Sequence, residues 1–88
     1  MIHQHEEGRL PGWRLFFYTN ERHEPPHIHA RKGDVECKYW LHVETFDIEE
    51  VYAYNLSRAD RRALRKIIFE HFEYLLAEYQ ALHQGGAA

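Results

Sequence analysis

Val35-Glu36-Cys37-Lys38-Tyr39-Trp40-Leu41-His42-Val43 alternates without a break. Val35, Cys37, Tyr39, Leu41 and Val43 share one face, and Glu36, Lys38, Trp40, His42 and Glu44 share the other. That period predicts a half-buried antiparallel strand. Just before it, Lys32-Gly33-Asp34 reads as a tight turn with Gly33 supplying positive φ. Ile28–Lys32 is then the partner strand of a hairpin. Further upstream, Trp13–Thr19 is aromatic and uncharged apart from Arg14, so it reads as a central strand buried on both faces. Residues 1–12 are polar, contain Gly8, Pro11 and Gly12, and read as a flexible arm. Phe46–Tyr54 is ambiguous, either a weak strand or a strand followed by a connector, because its apolar residues fall at mixed spacing around Glu49-Glu50.

The C-terminal third has a helical period. Ser57 and Asp60 have N-cap and N3 spacing. Leu64, Ile67, Ile68, His71, Leu75, Tyr79 and Leu82 form one stripe, widened by Phe72 and Leu76, and Gly85-Gly86 ends it. A helix over 58–83 would span about 39 Å, against about 20–25 Å for the strands. Such a rod should overhang its sheet, where its end could fray, cover the 20–27 loop, pack on a second protein or form a homodimer. The expected architecture is α+β: a small antiparallel sheet of three or four strands packed against one long C-terminal helix. It forms a single domain over 13–84, with 85–88 a disordered tail.

The chain has 88 residues, 44% of them hydrophobic and 15% aromatic, enough for one domain with its own core. No apolar run approaches a membrane span and no signal peptide is visible, so a cytoplasmic protein is expected. The single cysteine, Cys37, fits a reducing compartment, and its strand position marks a small core residue rather than a nucleophile. Net charge is −3 with histidines neutral and +5 with all 8 protonated, so charge should invert on mild acidification. Net acidity argues against a dedicated DNA binder. No Gly-rich phosphate loop, serine nucleophile motif or CxxC pattern is present.

Candidate chemistry concentrates in His23-Glu24-Pro25-Pro26-His27-Ile28-His29. The prolines fix the backbone and remove two donors, and the residue before each is pushed out of helical space. His27 and His29 then lie about 7 Å apart on one face of a strand, a stiff presentation of imidazoles toward solvent. His71 interrupts the apolar helix stripe and would join them if the helix crosses the proline loop. Three roles stand side by side: a structural one, in which His71 donates to a backbone carbonyl and the His27/His29 pair is simply exposed; acid–base chemistry or ligand recognition; and metal binding by His23, His27 and His29.

Two further features bear on binding. Arg58, Arg61, Arg62, Arg65 and Lys66 crowd the helix start against Asp60, while Asp34, Glu36, Glu44, Asp47, Glu49 and Glu50 crowd residues 34–56. Basic residues at a helix N-terminus oppose its dipole, so local helix energetics do not account for them. Either an anionic partner such as RNA phosphate or an acidic protein uses them, or the acidic segment of the same chain does. Phe16, Tyr18, Trp40, Tyr52 and Tyr54 exceed what one face of a small sheet need bury, which fits a protein interface or base stacking.

The string FFYTNERHEPPHIHARKGDVECKYWL, with AYNLSRADRRALRKI and EHFEYLLAEYQ, resembles the bacterial domain-of-unknown-function family 4160. The likeness covers roughly residues 14–82. His23, Pro25, Pro26, His27 and His29 fall on its most specific segment, with Glu24 where the family commonly has proline. Trp40-Leu41, Asn55, Ser57, His71 and Leu75-Leu76 also match, and Tyr79 stands where a tryptophan is often found. The resemblance implies a small bacterial protein often encoded beside a domain of family 2442, in gene pairs proposed to be toxin–antitoxin modules. It implies no reaction and no cofactor.

The leading expectation is therefore one component of a toxin–antitoxin-like pair, binding a small cognate protein and, as a further partner, RNA. Arg61, Arg65, Trp40 and Tyr18 are its candidate binding residues. The rival is a metal-independent ribonuclease with His27 or His29 as base, His71 or His23 as acid, and Arg61 or Arg65 on phosphate. A metal-binding regulatory module is the third.

Overall fold

A computed structural model of the chain describes residues 4–10, 12–18 and 23–85. Five strands precede two helices: β1 (Gln4–Leu10), β2 (Trp13–Tyr18), β3 (His27–Lys32), β4 (Val35–His42), β5 (Asp47–Tyr54), α1 (Arg58–Glu70) and α2 (Phe72–Gly85). Each strand pairs antiparallel with the next, in the order β1-β2-β3-β4-β5. The α+β class is as expected, and the β3–β4 hairpin turns at Gly33 with φ 59°.

The sheet has five strands, not three or four. Gln4–Leu10, read as part of a flexible arm, pairs with β2 through a bulge between Glu6 and Gly8. Its polar residues and glycine suit an edge strand, where bulges interrupt pairing and discourage further strand addition. The ambiguous stretch after the β4–β5 turn is a full strand. The tail at 86–88 lies outside the described residues, and Gly85 itself belongs to α2.

The register sorts the side chains onto two faces. Leu15 lies opposite Ala30, Ala30 opposite Cys37, Ile28 opposite Tyr39, and Leu41 opposite Ile48. All are buried against Leu64, Ile68, Phe72, Leu75 and Tyr79 of the helices. On the reverse face, Phe16 lies opposite His29, His29 opposite Lys38, His27 opposite Trp40, and Lys38 opposite Tyr52. The histidines of the motif therefore belong to the sheet face that carries no helix.

The single helix of the sequence reading is broken at His71, whose φ −112° and ψ 16° leave helical space. The hydrogen-bond ladder continues across it: its N–H donates to the Ile67 carbonyl at 3.1 Å, and its own carbonyl accepts from Leu75 N–H at 2.8 Å. α1 runs back along β5, where Arg61 meets Glu50. The Phe72 ring then meets Phe46 of the β4–β5 turn at 4.4 Å. α2 crosses the strand ends to place Tyr79 5.6 Å from Phe17 and 5.4 Å from His27. A straight helix of that length would run about 42 Å, past the strand ends. The bend keeps the apolar stripe on the core as far as Leu82, so the expected overhang does not form.

Candidate functional site

The Glu24-Pro25-Pro26 run offers three consecutive carbonyls, and the two prolines bring no N–H of their own. Each carbonyl is met from a different element. The Tyr79 hydroxyl donates to the Glu24 carbonyl at 2.8 Å. His27 Nδ1 donates to the Pro25 carbonyl at 2.9 Å. The Leu41 N–H donates to the Pro26 carbonyl at 2.8 Å. A carbonyl oxygen can only accept, so His27 carries its proton on Nδ1 in this bond. The imidazole does for the proline turn what a backbone N–H would do elsewhere.

This corrects the expectation of solvent-facing imidazoles. His27 is 0% exposed and His29 2%. They touch edge to face at 5.2 Å, inside a cluster of rings. His29 stacks on Phe16 at 5.4 Å and meets Tyr18 at 4.7 Å. The Tyr52 hydroxyl lies 3.3 Å from His29 Nδ1. His27 meets Trp40 at 5.8 Å. The buried Lys38 pairs with Glu24, and its ammonium sits 4.6 Å over the Trp40 ring. Charge and aromatic face together offset its desolvation. Trp40 and Tyr18, offered as binding residues, are half-buried walls of this cluster.

The other two histidines stand apart from the pair. His23 is exposed at the turn into the segment. His71 sits at the helix break, eight residues before Tyr79, which is about 12 Å along a helix axis. Tyr79, not His71, is the helix residue that reaches His27. Among the described residues, no three histidine, cysteine or carboxylate side chains converge as a metal-binding set. Burial and nearby Glu50 push the Cys37 thiol up to about 12, so it stays protonated at neutral pH.

The opposite end of the sheet carries the basic residues. Arg58, Arg61, Arg62 and Arg65 line a concavity of about 320 Å³. Arg61 grips Glu50 with two bonds, Nε to Oε1 at 2.9 Å and Nη2 to Oε2 at 3.3 Å. Glu50 also accepts from the buried Tyr39 hydroxyl at 2.8 Å. The Arg61 guanidinium, and then the Tyr39 hydroxyl, hold the Glu50 carboxyl below its ordinary range despite partial burial. Burial, and then the bond to Glu50, push Tyr39 upward. Among the described residues, the acidic segment of the chain thus takes up one of the helix arginines. Arg65 lies 5.8 Å over the Phe69 ring. Arg58 and Arg62 are exposed and carry no ion pair among the described residues.

A third surface had no signal in the sequence. Val43 to Phe46 turn the chain between β4 and β5, and Phe46 has φ 52° while 50% exposed. A bulky residue with positive φ is an outlier whose strain must be held by its surroundings, here the ring of Phe72. Glycine or asparagine is the usual mark of such a position, and this turn has neither. Beside it, Pro25, Pro26, Leu41 and Val43, with His42, Glu44 and Thr45, line a groove of about 270 Å³. Tyr74, 54% exposed, lies two residues beyond Phe72.

No described helix is long and apolar enough to cross a membrane. No curated protein and no solved structure matches the chain. One family does match, over residues 12–80 and so over most of the sequence: the chain belongs to DUF4160, described as a domain of unknown function.

Proposed function

We propose that this protein is the binding component of a two-protein, toxin–antitoxin-like pair, and that it docks a small cognate protein encoded beside it. Phe46 carries the reading: a large ring half in solvent, on backbone that L residues rarely adopt. The Phe72 ring holds that backbone in place, and half of the Phe46 ring is still left to solvent. Exposed Val43 and the two prolines of the adjoining groove add apolar surface beside it, with His42, Glu44 and Thr45 as a polar margin, the pattern of apolar centre and polar rim that interfaces show. The ribonuclease reading draws less support, because an acid or base must reach its substrate and His27 and His29 are enclosed.

The test is co-expression with the neighbouring gene product, followed by pull-down and calorimetry. A 1:1 complex is expected. Phe46→Gly relaxes the backbone and deletes the ring, so it should weaken the complex at least tenfold while circular dichroism stays native. Val43→Asp should do the same. A neighbour that does not bind, or that binds both variants as tightly as the parent, overturns the reading.

A further inference from the structure

We infer that the Phe46 turn accepts a cationic segment: a stretch of partner with a large apolar side chain flanked by arginines or lysines. This deepens the docking reading and rests on its claim that the turn is an interface. What it adds is the chemistry of the occupant.

Charge is divided along the chain. All 11 lysines and arginines fall within residues 1–38 and 58–66. Residues 39–57 and 67–88 hold none, against four carboxylates in the first stretch and three in the second. The fold joins these two stretches. The break at His71 turns the chain so that Phe72, at the start of α2, meets Phe46, with ring centroids 4.4 Å apart. The half-exposed ring therefore stands where both cation-free stretches come together.

Carboxylates border that ring. Asp47 is its neighbour in the chain and Glu44 precedes it by two residues, so their Cα atoms lie within about 8 Å of its own. Glu44 also lines the groove with Pro25, Pro26 and Val43. His42 lines it too, and is bonded to Glu49 at 2.8 Å. Glu73 follows Phe72 and is exposed. Glu44, Asp47 and Glu73 carry no ion pair among the described residues.

These facts choose the occupant. A partner that covers Phe46 strips water from the carboxylates beside it, and a desolvated charge left unpaired is costly. Guanidinium or ammonium groups on the partner offset that cost, and a guanidinium also suits the exposed part of the Phe46 ring. An acidic segment or a nucleic acid would instead meet like charge. A second copy of this chain does not supply the match. Among the described residues its exposed cations cluster on α1, whose exposed face is Arg58, Ala59, Arg62, Ala63 and Lys66. That face has no large apolar side chain to enter the groove.

The experiment is fluorescence anisotropy of the full chain with three short labelled peptides at low and moderate salt. All carry the same central pair of leucines, flanked by arginines in one, serines in the second and glutamates in the third. The arginine peptide should bind at least tenfold tighter than the serine peptide, and the glutamate peptide weakest. Moderate salt should remove most of that advantage. Phe46→Gly should weaken the arginine peptide at least tenfold. Glu44→Gln with Asp47→Asn keeps an acceptor for the Ile48 N–H, which Asp47 Oδ1 holds at 2.8 Å. This pair should weaken the arginine peptide at least fivefold and leave the serine peptide unchanged. Asp34→Asn, in the β3–β4 turn at the far end of β4, should change nothing, which separates a local site from the attraction of a net charge of −3. Arginine binding no tighter than serine binding overturns the inference. Selectivity that survives the paired variant, or that follows Asp34, also overturns it, and so does a homodimer that Phe46→Gly dissolves.

The same variants are then titrated with the neighbouring gene product. A complex lost in Phe46→Gly but untouched in the paired variant leaves the docking reading standing and overturns the cationic occupant. A neighbour that does not bind, beside arginine selectivity that needs Phe46 and both carboxylates, upholds the occupant's chemistry and removes that neighbour as the partner.

Discussion

At the proline end of the sheet, three consecutive carbonyls each meet a donor from a different element. At the hairpin end, four guanidiniums line one hollow, and among the described residues Arg61 alone of the four holds a carboxylate. The first region carries the most distinctive motif in the chain and uses it internally. The second carries no motif and leaves its charge facing water. A buried polar atom must be satisfied or it costs its full desolvation, so a conspicuous buried motif is first an answer to the fold's own accounting. Exposed charge that local energetics disfavour has no such internal use.

The largest expected effect tests the internal role. His27→Ala leaves the Pro25 carbonyl without its donor and opens a cavity between Trp40, His29 and Tyr79. Unfolding in urea should show a loss of about 3–5 kcal/mol. A loss under about 1 kcal/mol would mean that the imidazole does not hold the turn. Tyr79→Phe is gentler, since it keeps the ring and removes only the donor to Glu24. It should cost about 1–2 kcal/mol by the same measurement, and an effect near zero would leave the Glu24 carbonyl's partner unidentified.

Acid titration sharpens the other side. Glu50 is a carboxylate whose folded pKa lies below its unfolded value. Its contribution is therefore present above the ordinary carboxylate range and is lost as pH falls through its depressed folded pKa. Glu50→Gln should flatten the acid limb of a stability–pH curve and remove part of the neutral-pH stability. An unchanged limb would mean that Arg61 is as unpaired as its neighbours. The smallest effect is the most diagnostic. Arg58→Ala or Arg62→Ala should leave stability within about 0.5 kcal/mol of the parent, or raise it slightly, because exposed cations at a helix N-terminus gain nothing from the dipole. A clear loss would show that these side chains serve the fold after all, and the contrast between the two ends would collapse.

Val35–His42 was legible because burial on one face writes a period of two into the chain, Trp13–Tyr18 because an aromatic run uncharged apart from Arg14 marks burial on both faces, and the strand between them because the Gly33 turn supplies its partner. β1 was not, because an edge strand needs few apolar residues, and Gln4–Leu10 has the composition of a loose segment. The break at His71 was not, because it has no proline or glycine to mark it and answers only to where Phe46 and Phe17 lie. The histidine segment was visible as a site of importance but not as an internal brace. An imidazole that donates to a carbonyl and one that moves a proton are the same residue in a sequence. The difference is whether something covers the ring, and here part of the cover is Tyr79, 52 residues further on. The arginine cluster could be read as charge opposed to a dipole, whereas the hollow it lines depends on how α1 lies along β5.

Every strand pairs with its neighbour in sequence, so the sheet can zip hairpin by hairpin with small loop-closure entropy at each step. The bond from Tyr79 to the Glu24 carbonyl joins residues 55 apart. A contact of that span is expected to close late, after the meander is built and α2 arrives across the strand ends. Deleting it should then speed unfolding far more than it slows folding, so the proline turn is the clasp that sets how long the molecule stays shut.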